Sequence, residues 1–271
     1  MNKNKFIFIL LFTACQPRSH DLPEAKFTNS VCEKTYAKFY AKPVLDFRII
    51  FGYKDARPAR YVGDRYEEAY FIQKILGLGF ERVKNQDDTF AYSVIAPDGQ
   101  KKAIRLSIAG SSVGPDDDEN RNDPFQKWKS TYAENLFLNG LKTADLVFYY
   151  GHSRDGGGPD FNPPKLTKNH HTDYAWYVKH RTGLKKMLAA VKSGQKDARL
   201  LGLYSCVSDK LFTKSLQKVN PNISLMTSHV LLYYNDALDG MFEALSAIIK
   251  MKCQQDFHPT GTDIIHFFKN S

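Results

Sequence analysis

The stretch Ala144-Asp-Leu-Val-Phe-Tyr-Tyr-Gly-His-Ser153, with its counterpart Arg199-Leu-Leu-Gly-Leu-Tyr-Ser-Cys-Val-Ser208, decides the fold. Each is a short run rich in leucine, β-branched and aromatic residues, the pattern of a parallel strand buried on both faces. Each also ends in one reactive side chain, His152 in the first and Cys206 in the second. A helix-like stretch lies between them. Parallel neighbours joined by a crossover helix deliver both C-terminal tips to the same edge of a sheet. The pattern therefore sets an imidazole beside a thiol, the minimum equipment of a cysteine nucleophile.

Outward from these two runs the chain alternates strand and helix. Leu45 to Gly52 predicts the first strand, and Asp64 caps a helix with Ala69, Phe71, Ile72, Ile75 and Leu76 on one broad face. Ala91 to Ala96 and Lys102 to Ile108, split by Pro97-Asp-Gly99, predict a hairpin. The acidic run from Asp116 to Asp123 reads as a loop. It carries Ca²⁺-friendly ligands without a recognisable loop pattern, so a solvated loop is the simpler reading. Phe125 to Leu141 is helical, with Trp128, Tyr132, Leu136 and Leu138 apolar, and it feeds the His152 strand. A loop rich in glycine and proline follows, from Arg154 to Pro164, and a helix from about Gly183 to Val191 leads to the Cys206 strand. Asp209 is placed to cap a helix over Lys210 to Val219, Ile223 to Thr227 is a short strand, and Asp236 to Met251 is a closing amphipathic helix. This alternation predicts one α/β domain with a doubly wound, mostly parallel sheet flanked by helices.

The first residues are basic, and Phe6 to Ala14 is an apolar run too short to span a bilayer, the pattern of an export signal. Leu11-Phe-Thr-Ala-Cys15 resembles a bacterial lipobox, which implies cleavage before Cys15 and lipidation of that residue; the alternative is an ordinary signal peptide cleaved nearby. Gln16 rather than Asp follows, which by the same resemblance sends the protein to the outer membrane of a Gram-negative cell. The resulting division is a signal peptide over 1–14, a tether over 15–30 and the α/β domain over 31–271. In an oxidising exported setting Cys32 and Cys253 are candidates for a disulfide, leaving Cys206 as the odd thiol; the alternative is that all three are free. The net charge of +9 is scattered rather than striped, and no nucleic-acid motif is present, so a nucleic-acid partner is not expected. His170-His171 with Asp173 does not make a metal site, because adjacent residues of an extended segment point apart. Neither a metal nor a cofactor is expected.

The two reactive blocks resemble those of the caspase-like (clan CD) cysteine peptidases, the group of caspases, metacaspases, legumain, clostripain and gingipains. Those families place a histidine after one apolar strand and a cysteine after the next, here about fifty residues apart. The resemblance covers the order of elements from Leu45 to Met251, and its specific motifs are the two short blocks. It implies an endopeptidase acting on polypeptides, with Cys206 as nucleophile and His152 as general base and later acid. The backbone amides of Ser153 and Cys206 would form the oxyanion hole. The family usually has glycine where this chain has Ser153, and Ala, Asp or Cys where it has Ser205; a serine keeps its backbone N–H. In the loop beside the cleft, Gly158, Asp160 and Phe161 are candidate substrate contacts, with Gly158 for close backbone approach and Asp160 for a basic side chain. Two rival readings stand beside this one. One is an inactive caspase-like surface lipoprotein that binds a partner. The other is a serine esterase, since Gly151-His-Ser153-Arg-Asp155 resembles the G-x-S-x-G elbow of α/β-hydrolases, with Asp155 where the turn requires glycine.

Overall fold

The computed structural model describes residues 30–54, 64–114, 116–194, 200–253 and 264–267. The export segment, the lipobox and Cys15 lie outside the described residues. In chain order the elements are α1 (Ser30–Phe39), β1 (Val44–Phe51), α2 (Asp64–Gly77), β2 (Glu81–Val83), β3 (Gln86–Ile95) and β4 (Lys101–Gly110). They continue with α3 (Asp117–Asn122), α4 (Gln126–Thr143), β5 (Leu146–Tyr150), α5 (Tyr174–His180), α6 (Thr182–Ser193) and β6 (Leu200–Tyr204). The last are α7 (Lys214–Val219), β7 (Ser224–Ser228), α8 (Tyr234–Ile249) and β8 (Ile264–Phe267).

One eight-stranded sheet runs β2-β3-β4-β1-β5-β6-β7-β8. The five central strands, β4, β1, β5, β6 and β7, are mutually parallel, and the antiparallel β2–β3 hairpin and β8 finish the edges. Side-chain alternation sorts each central strand between two cores. Leu45, Phe47, Ile49 and Phe51 of β1 share one face with Phe148 and Tyr150 of β5 and Tyr204 of β6, covered by α1, α2 and α8. Ile50, Val147, Tyr149, Leu201 and Leu203 point the other way, beneath α4, α6 and α7. The result is a doubly wound α/β domain, as the strand and helix alternation predicts. Gly202 is required where β6 crosses β5: a Cβ there would lie 2.6 Å from the Phe148 ring.

Several local readings are corrected. The acidic run is not a loop: Asp116 accepts from the Asp118 and Glu119 amides and so caps α3. The buried stripe of α2 is Asp64, Glu67, Phe71 and Ile75, so Ala69 and Leu76 face solvent. Asp64 is the first helical residue and its carboxylate accepts from the Ser111 and Ser112 amides, both at 2.9 Å, tying α2 to the end of β4. The segment after Asp209 begins as a π-helical turn, Asp209–Thr213, before α7, and Asp209 makes no cap. Trp128, one of the apolar residues noted in this helix, is exposed, and Ala133, Phe137 and Leu141 are among the residues that α4 buries. Helices α1 and α5 and strands β2 and β8 are additions to the sequence reading. Cys32 and Cys253 form a disulfide with a Cα–Cα distance of 5.7 Å, joining α1 to the chain just beyond α8.

Candidate active site

Parity and register bring the two reactive residues together. In the parallel pairing of β5 with β6, Tyr150 lies opposite Tyr204, and both rings belong to the core under α2 and α8. His152 and Cys206 follow two residues past the end of each strand, and the Gly151 amide continues the ladder by donating to the Tyr204 carbonyl at 3.2 Å. Both side chains line one cavity of about 290 Å³ at the C-terminal edge of the sheet. Lys54, Tyr150, Ser205, Leu232, Tyr234 and Ala237 are among its other walls. Both reactive residues are partly buried, and Cys206 is the only free cysteine among the described residues. Its Sγ lies 3.8 Å from the Leu232 carbonyl.

The turn after His152 is fixed from behind. The Tyr149 hydroxyl donates to the His152 carbonyl and accepts from the Asp160 amide, both at 3.1 Å. The Tyr149 ring passes against Gly151 and Gly52, where a Cβ would lie 2.6 and 2.4 Å from its hydroxyl. Beyond Cys206, Val207 is held at φ 49, a left-handed conformation costly for a β-branched residue, with its amide donating to the Val230 carbonyl at 2.9 Å.

Three strand tips, not two, build the site. Lys54, three residues past β1, is buried and pairs with Glu67 of α2 at 2.5 Å. Its ammonium also donates to the Tyr150 hydroxyl at 3.0 Å and sits 3.2 Å from the centre of the Tyr234 ring. The Tyr150 hydroxyl donates to Glu67 at 2.7 Å. Burial lowers Lys54 to about 8 and raises Glu67 to about 7, against their mutual attraction. Burial, then Arg154, then Lys54 push the His152 imidazole down to about 3, so it is neutral at physiological pH. Among the described residues, the buried Ser205 Oγ in the cavity wall and the buried Glu67 Oε2 have no hydrogen-bond partner.

The remaining predicted site residues lie elsewhere. Asp160 is not in the cavity wall, and its carboxylate accepts from Arg154 at 3.0 Å and from the Tyr177 hydroxyl at 2.6 Å. Phe161 is buried against Phe137 and Tyr149 on the opposite face of the sheet. Gly158, at φ 99, packs on the backbone of Gly183 and Leu184, where a Cβ would lie 2.0 Å from the Leu184 nitrogen. Of the two oxyanion-hole candidates, Cys206 lines the cavity and Ser153 does not. Ser153 is buried at 6 % exposure and leads into a 3₁₀ turn, Arg154–Gly156, rather than the strand-to-helix elbow of an esterase. His170 and His171 are exposed, and Asp173 caps α5 by accepting from the Trp176 amide. Lys54, Glu67 and Tyr234 were missing from the sequence reading. The signal for Lys54 was present: β1 is itself a parallel strand, so its tip emerges at the same edge.

Compared with family models, with curated proteins and with solved structures, the chain matches none.

Proposed function

We propose that this protein is a cysteine hydrolase of the peptidase kind implied by the caspase-like resemblance. The observation that carries the reading is the shared cavity of Cys206 and His152 at the tips of adjacent parallel strands. The Cys206 sulfur attacks the substrate carbonyl carbon and His152 takes up the S–H proton. As the C–N bond breaks, a proton passes from His152 to the leaving amine and the acyl group stays on sulfur as a thioester. Water then adds to the thioester, releasing the acid and restoring the thiol. A neutral imidazole suits this sequence, since only the unprotonated ring can accept. The exposed Leu231 and Tyr233, beside and on the rim of the cavity, support a polypeptide substrate by offering apolar contact to an extended chain.

We place the protein outside the cytoplasm, anchored by lipid on Cys15. The Cys32–Cys253 disulfide supports an oxidising compartment. Cys15→Ala is expected to abolish membrane association, and unchanged association refutes the anchor. For the reaction, Cys206→Ala and thiol alkylation are expected to abolish peptide hydrolysis while Ser153→Gly retains it. Full activity in Cys206→Ala with loss in Ser153→Gly would transfer the chemistry to the serine. Slow, His152-independent alkylation of Cys206 together with partner capture would favour the binding protein.

A further inference from the structure

We propose that Lys54, held in the cavity wall by Glu67 and Tyr150, is the cation against which Cys206 ionises, so that the thiolate faces an ammonium rather than a protonated imidazole. This rests on the cysteine-hydrolase reading and gives it a third participant, a positioning residue acting through Cys206.

The argument begins with what surrounds the lysine. Lys54 and Cys206 line the same cavity, and both touch the segment that opens α8: the sulfur at Leu232, the ammonium over the Tyr234 ring. The groups acting on Lys54 are Glu67 and Asp64 of α2, Tyr150 of β5, His152 and Cys206 beyond the strand tips, and Tyr234 of α8. Glu67 and Asp64 are anionic partners, and an anion formed at Cys206 would also favour the ammonium. No carboxylate is among the described residues of the cavity wall, so Lys54 is the one charged side chain presented there. Its position also opposes a positive charge on His152, as does Arg154. A thiolate–imidazolium pair would therefore need a positive charge on the ring that both Lys54 and Arg154 oppose. A thiolate beside Lys54 leaves the imidazole neutral and the lysine paired on both sides.

In the proposed step the S–H bond of Cys206 breaks, the electron pair stays on sulfur and the proton passes by way of His152 to solvent, leaving the ring neutral. Lys54 keeps its three protons throughout. At the leaving-group step His152 takes a proton from a water molecule and hands it to the amine, and the hydroxide left behind adds to the thioester.

The test is the rate of iodoacetamide alkylation at Cys206, followed by peptide mapping from pH 5 to 10 in the full chain. Removing the lysine alone would strand Glu67, so the variant is Lys54→Met with Glu67→Gln. Its alkylation at pH 7 is expected to be roughly tenfold slower than wild type, with the two rates converging above about pH 9.5. Lys54→Arg is expected to keep most of the wild-type rate at pH 7. His152→Ala is expected to retain the thiolate absorbance near 240 nm, an arm that leaves the Lys54–Glu67 pair in place. A double variant with the wild-type rate at pH 7, or one slowed equally at every pH, overturns the proposal, as does loss of the thiolate in His152→Ala. Failure of the underlying reading looks different: alkylation of the wild type that is uniformly slow, with no thiol-dependent hydrolysis.

Discussion

Gly151→Ala tests whether the strand tip that carries His152 has room to move. A Cβ at this position would lie 2.6 Å from the Tyr149 hydroxyl oxygen, 2.9 Å from its ring carbon Cζ and 3.3 Å from the Gly52 Cα. The ring cannot retreat. Its far side packs on Phe137 and Phe161, with centroids 5.6 Å away in both cases, and its hydroxyl is committed to the His152 carbonyl and the Asp160 amide. Relief must come from the Gly151–His152 backbone, at an overpacking cost of about 1–3 kcal/mol. If that relief displaces His152 by about 1 Å, hydrolysis falls roughly a hundredfold. Gly77→Ala is the control, because a Cβ there meets nothing within 4 Å. It should be neutral or stabilising by up to about 1 kcal/mol through the reduced freedom of the unfolded chain. Urea unfolding at constant slope reads the stability term, and hydrolysis of a peptide substrate reads the displacement. A Gly151→Ala protein with the wild-type midpoint and rate would refute the claim that Tyr149 fixes the turn.

Replacing both Cys32 and Cys253 by alanine opens a loop with a sequence separation of 221, which by loop-closure entropy removes up to about 5 kcal/mol of stability. The Tyr36 and Tyr40 hydroxyls still hold α1 to the Lys252 and Ile248 carbonyls, so hydrolysis at low temperature should survive, while an unchanged urea midpoint would show that the disulfide contributes nothing. The depressed imidazole of His152 makes stability depend on pH in a fixed direction: below about pH 6.5 the unfolded chain binds a proton that the folded protein refuses down to about pH 3, so stability falls as pH drops through that window. His152→Gln should flatten that fall relative to wild type, and parallel pH profiles of the two urea midpoints would show that the ring is not held neutral.

The central strands were legible because burial on both faces leaves a simple signature, and one step of parity extends it to His152 and Cys206. The edges were not. Strand β2 has three residues, mostly exposed, and carries no apolar pattern that periodicity can find. Helix α5 is cut from α6 by Arg181 at φ 49, so neither half of that run reads as one long amphipathic helix. The acidic run hid a helix because its charges serve as cap and solvated face at once. The site was half legible for a different reason. A histidine and a cysteine announce chemistry by residue type, whereas a lysine announces only a surface, and nothing in composition says that Lys54 is buried. Asp160 shows the limit in the opposite sense: its place in a glycine-rich loop suggests a substrate contact, and nothing in the sequence says that Arg154 turns inward to pair with it.

Arg154 and Lys54 give the site its electrostatic logic when taken together. Each cation is buried and each has its own carboxylate, Asp160 for the arginine and Glu67 for the lysine. Neither pair is needed to join the strands, which the ladder between β1, β5 and β6 already does. Buried ion pairs are weak sources of stability, because desolvation offsets most of their attraction. Two of them flanking one imidazole are better understood by their effect on it. Both oppose its protonation, and only Lys54 shares the cavity with the thiol. The two cations thus differ in place: Arg154 is tied into the loop behind His152 and, with Lys54, holds the ring neutral, while Lys54 alone lines the cavity that Cys206 also lines.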